Sequence, residues 1–176
     1  MNGRRPLSEA RIVTDSLLHR LQPFVKRAVV AGSIRRQRPD VKDIEIVAEP
    51  VDVPDGLFGE TRPGSAEIKE LAATWGPVVK GGDKYIQVAD VLDSGMALDL
   101  FLVTPPASWG ALLTIRTGPA AFSQMLVTRL RGRFMRCEHG RVLGRGGVVV
   151  PTPDEASFFA ACDVAWLPPE ERHERP

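Results

Sequence analysis

The chain has 176 residues, a net charge of +1 and 43% hydrophobic residues, enough for one domain, or a domain with a small appendage, around a real core. No run approaches ~20 apolar residues and no apolar stretch follows the amino-terminal arginines, so neither a transmembrane helix nor a signal peptide is expected. Two cysteines, Cys137 and Cys162, and three scattered histidines exclude a disulfide framework and a zinc knuckle, and fit free thiols in a reducing, intracellular compartment.

In chain order, residues 1–6 read as a frayed tail. Ala10, Val13, Leu17 and Leu21 recur at helical spacing and predict a helix over 7–24, ended by Pro23. An apolar strand at 28–31 stops at Gly32-Ser33, where a short helix begins, and Pro39-Asp40 breaks the chain before a second strand at 41–48. Residues 49–63, rich in Pro, Gly and Asp, read as a loop, and Ser65 as the cap of a helix running to Trp75. Strands follow from Val78, over 84–91 and over 96–103, separated by turns at 81–83 and 93–95. Beyond 105, helices over 109–131 are broken at Gly118-Pro119, with Phe122, Met125 and Leu126 in the core. A hairpin around Glu138-His139-Gly140, a strand at 148–150, a helix from Asp154 to Cys162 and a terminal turn near 167–172 complete the chain.

The organising stretch is 28–49. On a strand, side chains at i and i+2 share a face, so Asp43 and Glu45 project together while Ile44 and Ile46 enter the core. Adjacent carboxylates repel unless a cation lies between them, and Mg²⁺ prefers such oxygens. Upstream, Gly32, Ser33 and the pair Arg35-Arg36 suit phosphate. Each feature alone is also an ordinary turn, surface pair or solvent face of a strand; the combination carries the reading. Asp99 is a lone carboxylate in the apolar run 96–103, and such a charge is costly unless paired or metal-bound. Beside the strand of Asp43 and Glu45 it completes a three-carboxylate cluster.

Charge runs in blocks. Residues 1–48 carry a net +5, 49–109 a net −6, 110–150 a net +6 and 151–176 a net −4. Basic blocks flanking an acidic middle fit a cleft for a polyanion near bound metals, or a surface merely decorated with arginine. The densest basic run, Arg129, Arg131, Arg133 and Arg136, is the candidate set for phosphate contacts, which the resemblance drawn next implies are to DNA.

Gly32-Ser33, the Asp43-Ile44-Glu45 strand and Asp99 in Leu98-Asp99-Leu100 resemble the nucleotidyltransferase superfamily. Gly32-Ser33-Ile34-Arg35-Arg36, Trp109-Gly110-Ala111 with Thr117-Gly118 and Phe122, and Leu167-Pro168-Pro169-Glu170-Glu171-Arg172 are similar to the family X, polymerase-beta-like DNA polymerases. The resemblance implies an α+β fold: a nucleotidyltransferase palm over 1–105, a mixed β-sheet packed by helices, and a thumb-like subdomain over 106–176. No stretch resembles the lyase and helix-hairpin-helix regions of larger members. It further implies a monomeric, cytoplasmic enzyme, nucleoid-associated on DNA, adding nucleotides to a primer in short repair gaps. Two Mg²⁺ ions, replaceable by Mn²⁺, would be held by Asp43 and Glu45, with Asp99 on the catalytic metal only. Gly32, Ser33 and Arg36 would contact the nucleoside triphosphate, and Thr117-Gly118 its sugar. Departures are Glu45 in place of Asp, Ala97 in place of an arginine, Ile115-Arg116 in place of an aromatic pair, and Ser123 in place of an asparagine. They keep open an RNA, small-molecule or protein hydroxyl as acceptor, and a catalytically weak DNA-binding homologue.

Overall fold

The computed structural model describes residues 3–56 and 58–173. Two compact units emerge: Met1–Val30 with Arg38–Thr104, and Ala31–Gln37 with Pro105–Pro176. The class is α+β, with a five-stranded mixed sheet and, among the described residues, six α-helices. None of these helices is long and apolar enough to cross a membrane.

The first unit begins with β1 (Arg5–Pro6), α1 (Leu7–Leu21) and β2 (Val25–Val30). After the short helix α2 (Gly32–Arg35), which belongs to the second unit, come β3 (Asp40–Val41), β4 (Asp43–Pro50), β5 (Asp52–Pro54) and β6 (Thr61–Pro63). Then follow α3 (Ser65–Ala73), β7 (Val78–Gly81), β8 (Tyr85–Val88) and β9 (Ala97–Leu102). The sheet runs β2-β4-β9-β8-β7, with β4 and β9 parallel and the other pairs antiparallel. Strict alternation buries Ile44, Ile46, Ile86, Val88, Leu98 and Leu100 completely. Helix α1 packs along β2 and α3 along β7 and β8, adding Ala10, Leu17, Leu21, Ile68 and Ala72 to this core.

Three local expectations are corrected. Residues 5 and 6 are not a frayed tail: β1 pairs with β3, Arg5 opposite Val41, and the Leu7 N–H donates to the Pro39 carbonyl at 2.9 Å. The stretch 49–63 is more than a loop, because β5 and β6 form an antiparallel ribbon. Its prolines, Pro54 and Pro63, sit at strand ends, where a missing N–H costs little. Leu57, inside that stretch, lies outside the described residues. Ser65 is the first helical residue of α3 rather than its cap, and Trp75 lies just past the end, 2% exposed.

The second unit joins α2 to α4 (Trp109–Thr117), α5 (Ala120–Gly132), β10 (Arg136–Glu138), β11 (Arg141–Leu143), β12 (Val149–Val150) and α6 (Glu155–Ala161). The break between α4 and α5 falls at Gly118-Pro119, as the sequence indicates. The β10–β11 turn places His139 and Gly140 at φ of 50° and 76°. A reciprocal capping box opens α6: Asp154 Oδ1 accepts from the Ser157 N–H at 2.8 Å, and Ser157 Oγ accepts from the Asp154 N–H at 3.3 Å. The core is formed by Ala111, Phe122, Leu126, Val142, Phe158 and Phe159. Gly110 is obligatory there, because a Cβ would lie 1.9 Å from the Asp154 carbonyl oxygen.

Candidate active site

The polar face of the first unit's sheet carries the three predicted carboxylates. Parallel pairing sets Glu45 directly opposite Asp99 and Asp43 opposite Ala97. On its other side Asp99 faces Gln87, which faces Lys80, so Glu45, Asp99, Gln87 and Lys80 form one cross-strand row. Asp43, Glu45 and Asp99 are each half-buried.

Asp99 is held in place. Its Oδ1 accepts from the Tyr85 hydroxyl at 2.6 Å and from Gln87 Nε2 at 2.9 Å. The Tyr85 ring in turn stacks on Phe101 at 5.1 Å between centroids. Sequence reasoning did not single out Tyr85 or Gln87. The signal was present in the alternation Tyr85-Ile86-Gln87-Val88, which puts both polar residues on the face opposite the core.

Burial pushes the Asp43 carboxyl above the ordinary aspartate range, and the charge on Asp99 pushes it further; Lys42, a backbone hydrogen bond and Arg4 act against this. A carboxylate whose folded pKa exceeds its unfolded value costs stability once pH rises through the folded pKa, and the cost vanishes below the unfolded value. Among the described residues no set of three His, Cys, Asp or Glu side chains is arranged to hold a metal ion. The chemistry of the Asp43–Asp99 pair, two oxygen donors whose mutual repulsion a cation relieves, nevertheless fits a hard divalent cation. Saturating Mg²⁺, at a hundredfold over its Kd, is expected to stabilise the wild type by about 2.7 kcal/mol, or roughly 5–10 °C in Tm. Asp43→Asn should raise Tm in EDTA and lose most of that Mg²⁺ increment. Thermal unfolding of both proteins with and without Mg²⁺ checks it.

In the second unit, the left-handed Gly32 (φ 57°) starts α2 and Ser33 is half-buried on it. Arg35 makes a bidentate ion pair with Glu155, at 2.9 and 2.6 Å, and also donates to Thr117 Oγ1 at 2.7 Å. Arg172, fully buried, donates to the same Glu155 at 2.7 Å and to the Leu167 carbonyl at 3.1 and 2.9 Å. Thr114 Oγ1 reaches Glu155 at 3.4 Å. Burial alone would raise the Glu155 pKa; hydrogen bonds from Arg35 and then Arg172 outweigh it and hold the carboxyl below the ordinary glutamate range. Glu155 and Arg172 were missed as partners because Arg35 and Glu155 lie 120 residues apart.

Arg36 donates to the Thr117 carbonyl. Thr117 itself is fully buried, with its hydroxyl committed to Arg35. A Cβ on Gly118 would lie 2.9 Å from Phe122 Cδ1. Ser123 is also committed, donating to the Ile115 carbonyl at 2.8 Å. Of the four predicted DNA-contacting arginines, Arg129 and Arg131 are exposed on the last turn of α5. Arg133 pairs with Asp163 at 3.5 Å and Arg136 with Glu138 at 3.0 Å, both at the surface.

Compared with known proteins, the chain matches no protein-family model and no curated protein.

Proposed function

We propose that the protein is a metal-dependent nucleotidyltransferase of the family X DNA polymerase type, with residues 1–105 as palm and 106–176 as thumb. Its reaction adds a nucleotide from a deoxynucleoside triphosphate to a primer 3′-hydroxyl in gapped DNA. One observation carries the reading: adjacent parallel strands set Glu45 against Asp99 on a half-buried sheet face, with Asp99 close enough to raise the Asp43 pKa. Carboxylates brought that close repel one another, and a divalent cation held by their oxygens relieves the repulsion.

In this reading Asp43 and Asp99, with Glu45 beside Asp99, would hold Mg²⁺, or Mn²⁺ in its place. When bound, the metal supplies Lewis-acid activation of the attacking hydroxyl and neutralises charge on the leaving phosphates. Tyr85 and Gln87 both donate to Oδ1 of Asp99, which fixes the carboxylate and directs Oδ2 to its task. That oxygen takes the proton of the 3′-hydroxyl. The 3′-oxygen bonds to the α-phosphorus, the bond from that phosphorus to the bridging oxygen breaks, and pyrophosphate leaves. On the resemblance, Gly32, Ser33 and Arg36 would contact the triphosphate, and Thr117 and Gly118 its sugar. The bond from Arg36 to the Thr117 carbonyl gives those two segments a common geometry.

Ser123 favours a second reading. Its hydroxyl proton is donated to the Ile115 carbonyl and so is not offered to a base or sugar, which relaxes the choice of nucleotide and admits RNA or a non-nucleic-acid hydroxyl as acceptor. Labelled deoxy- and ribonucleoside triphosphates offered with gapped DNA, single-stranded RNA and no nucleic acid separate the readings. Label on gapped DNA is expected. Label only on RNA or on a non-nucleic-acid acceptor supports the second reading, and DNA binding without transfer under either metal makes the protein a binding homologue.

A further inference from the structure

Helix α5 ends in an unusual way. The Met135 N–H donates to the Leu130 carbonyl at 2.9 Å and the Phe134 N–H to the Arg131 carbonyl at 3.0 Å, the paired bonds of a Schellman motif. That motif needs a left-handed residue, nearly always glycine, at the position Phe134 fills with φ of 57°. A bulky aromatic there is strained, because its Cβ crowds the following carbonyl oxygen. Burial does not offset it, since Phe134 is 66% exposed. The Arg145 guanidinium lies over its ring, 4.0 Å from the centroid. Around it, residues 129–145 hold six arginines against a single carboxylate, Glu138.

We infer that Phe134, backed by Arg145, is a stacking platform for an unpaired base of a single-stranded polynucleotide. Arginines on the same stretch hold its phosphates. An exposed aromatic face beside a dense positive charge matches a chain that offers flat bases and an anion at each step. A heparin-like polyanion would supply the charge without a flat aromatic ring. The inference rests on the polynucleotide part of the reading above and not on its chemistry.

The test is binding of oligo-dT and of heparin in EDTA, across several salt concentrations, with stability measured alongside. Phe134→Ala is expected to weaken oligo-dT about tenfold, leave heparin within twofold, and keep the salt slope. Arg131→Ala with Arg129→Ala should weaken both ligands and flatten the oligo-dT slope of log affinity against log salt by about 1.4. Phe134→Gly should bind like Phe134→Ala while its Tm equals or exceeds that of the wild type. Stability and affinity moving apart is a signature that a packing role does not produce. Equal losses on oligo-dT and heparin, unchanged oligo-dT affinity, or a Tm several degrees lower in Phe134→Gly would each overturn the platform. A wild type that binds no polynucleotide at all overturns the platform and the DNA acceptor together, whereas a wild type that binds with unaltered variants removes the platform alone.

Discussion

Asp99→Asn is expected to lower nucleotidyl transfer on the order of a thousand-fold, with no loss of thermal stability. Asparagine keeps the shape and retains a carbonyl oxygen for the Tyr85 hydroxyl and Gln87 amide, now 2.6 and 2.9 Å from Oδ1. What disappears is the negative charge and the proton-accepting oxygen. Asp43 then loses the neighbour that adds to its raised pKa, so its carboxyl should titrate closer to the ordinary aspartate range. By linkage, lowering a folded carboxyl pKa stabilises the folded state at pH values above it, so the variant should be slightly more stable near neutral pH. Carboxyl-carbon NMR titration of Asp43 in both proteins, beside transfer rates, tests the two halves separately. A variant that transfers at near wild-type rate would remove Asp99 from the chemistry.

Glu155→Gln should be the most destabilising conservative change in the second unit. The substitution keeps the volume and removes the one charge that offsets both Arg35 and the fully buried Arg172. Breaking a buried pair from one side costs about 3–5 kcal/mol, because the remaining charge stays desolvated. For a chain of this length that is roughly 6–20 °C in Tm. The pH dependence has a fixed sign. Glu155 has a depressed folded pKa, so its contribution is present above the unfolded glutamate value and is lost as pH falls through the lower, folded value. The wild type should therefore lose stability on acidification in a window below the ordinary glutamate range, and Glu155→Gln should flatten that limb. Calorimetry from neutral to acidic pH reads both effects. A Tm change under 2 °C would mean that the arginines find other partners.

Local patterns were legible and long-range pairings were not. The alternation of Asp43, Ile44, Glu45 and Ile46 was enough to place two carboxylates on one face, and Ile44 and Ile46 are indeed fully buried. Asp154 as a helix opener was equally readable, since a capping residue acts within one turn. By contrast, Ala31–Gln37 belongs with the second unit rather than with the strand it follows, through a bidentate pair spanning 120 residues. No periodicity encodes such a contact. Arg172, at the end of a terminal turn, is fully buried. Its role emerges only where Glu155 and the Leu167 carbonyl converge on it. The β5–β6 ribbon was hidden by its prolines, which speak against a strand except at ends and edges.

The central claim is that the Asp43–Asp99 face performs cation-dependent nucleotidyl transfer. Pyrophosphate release from a deoxynucleoside triphosphate, measured with gapped DNA in Mg²⁺, in Mn²⁺ and in EDTA, tests it most directly. Release should require both a divalent cation and the primer, and should vanish in Asp43→Asn while that protein stays folded. Release that persists in EDTA or in Asp43→Asn, or no release with either metal from a protein that binds the gapped DNA, would contradict it.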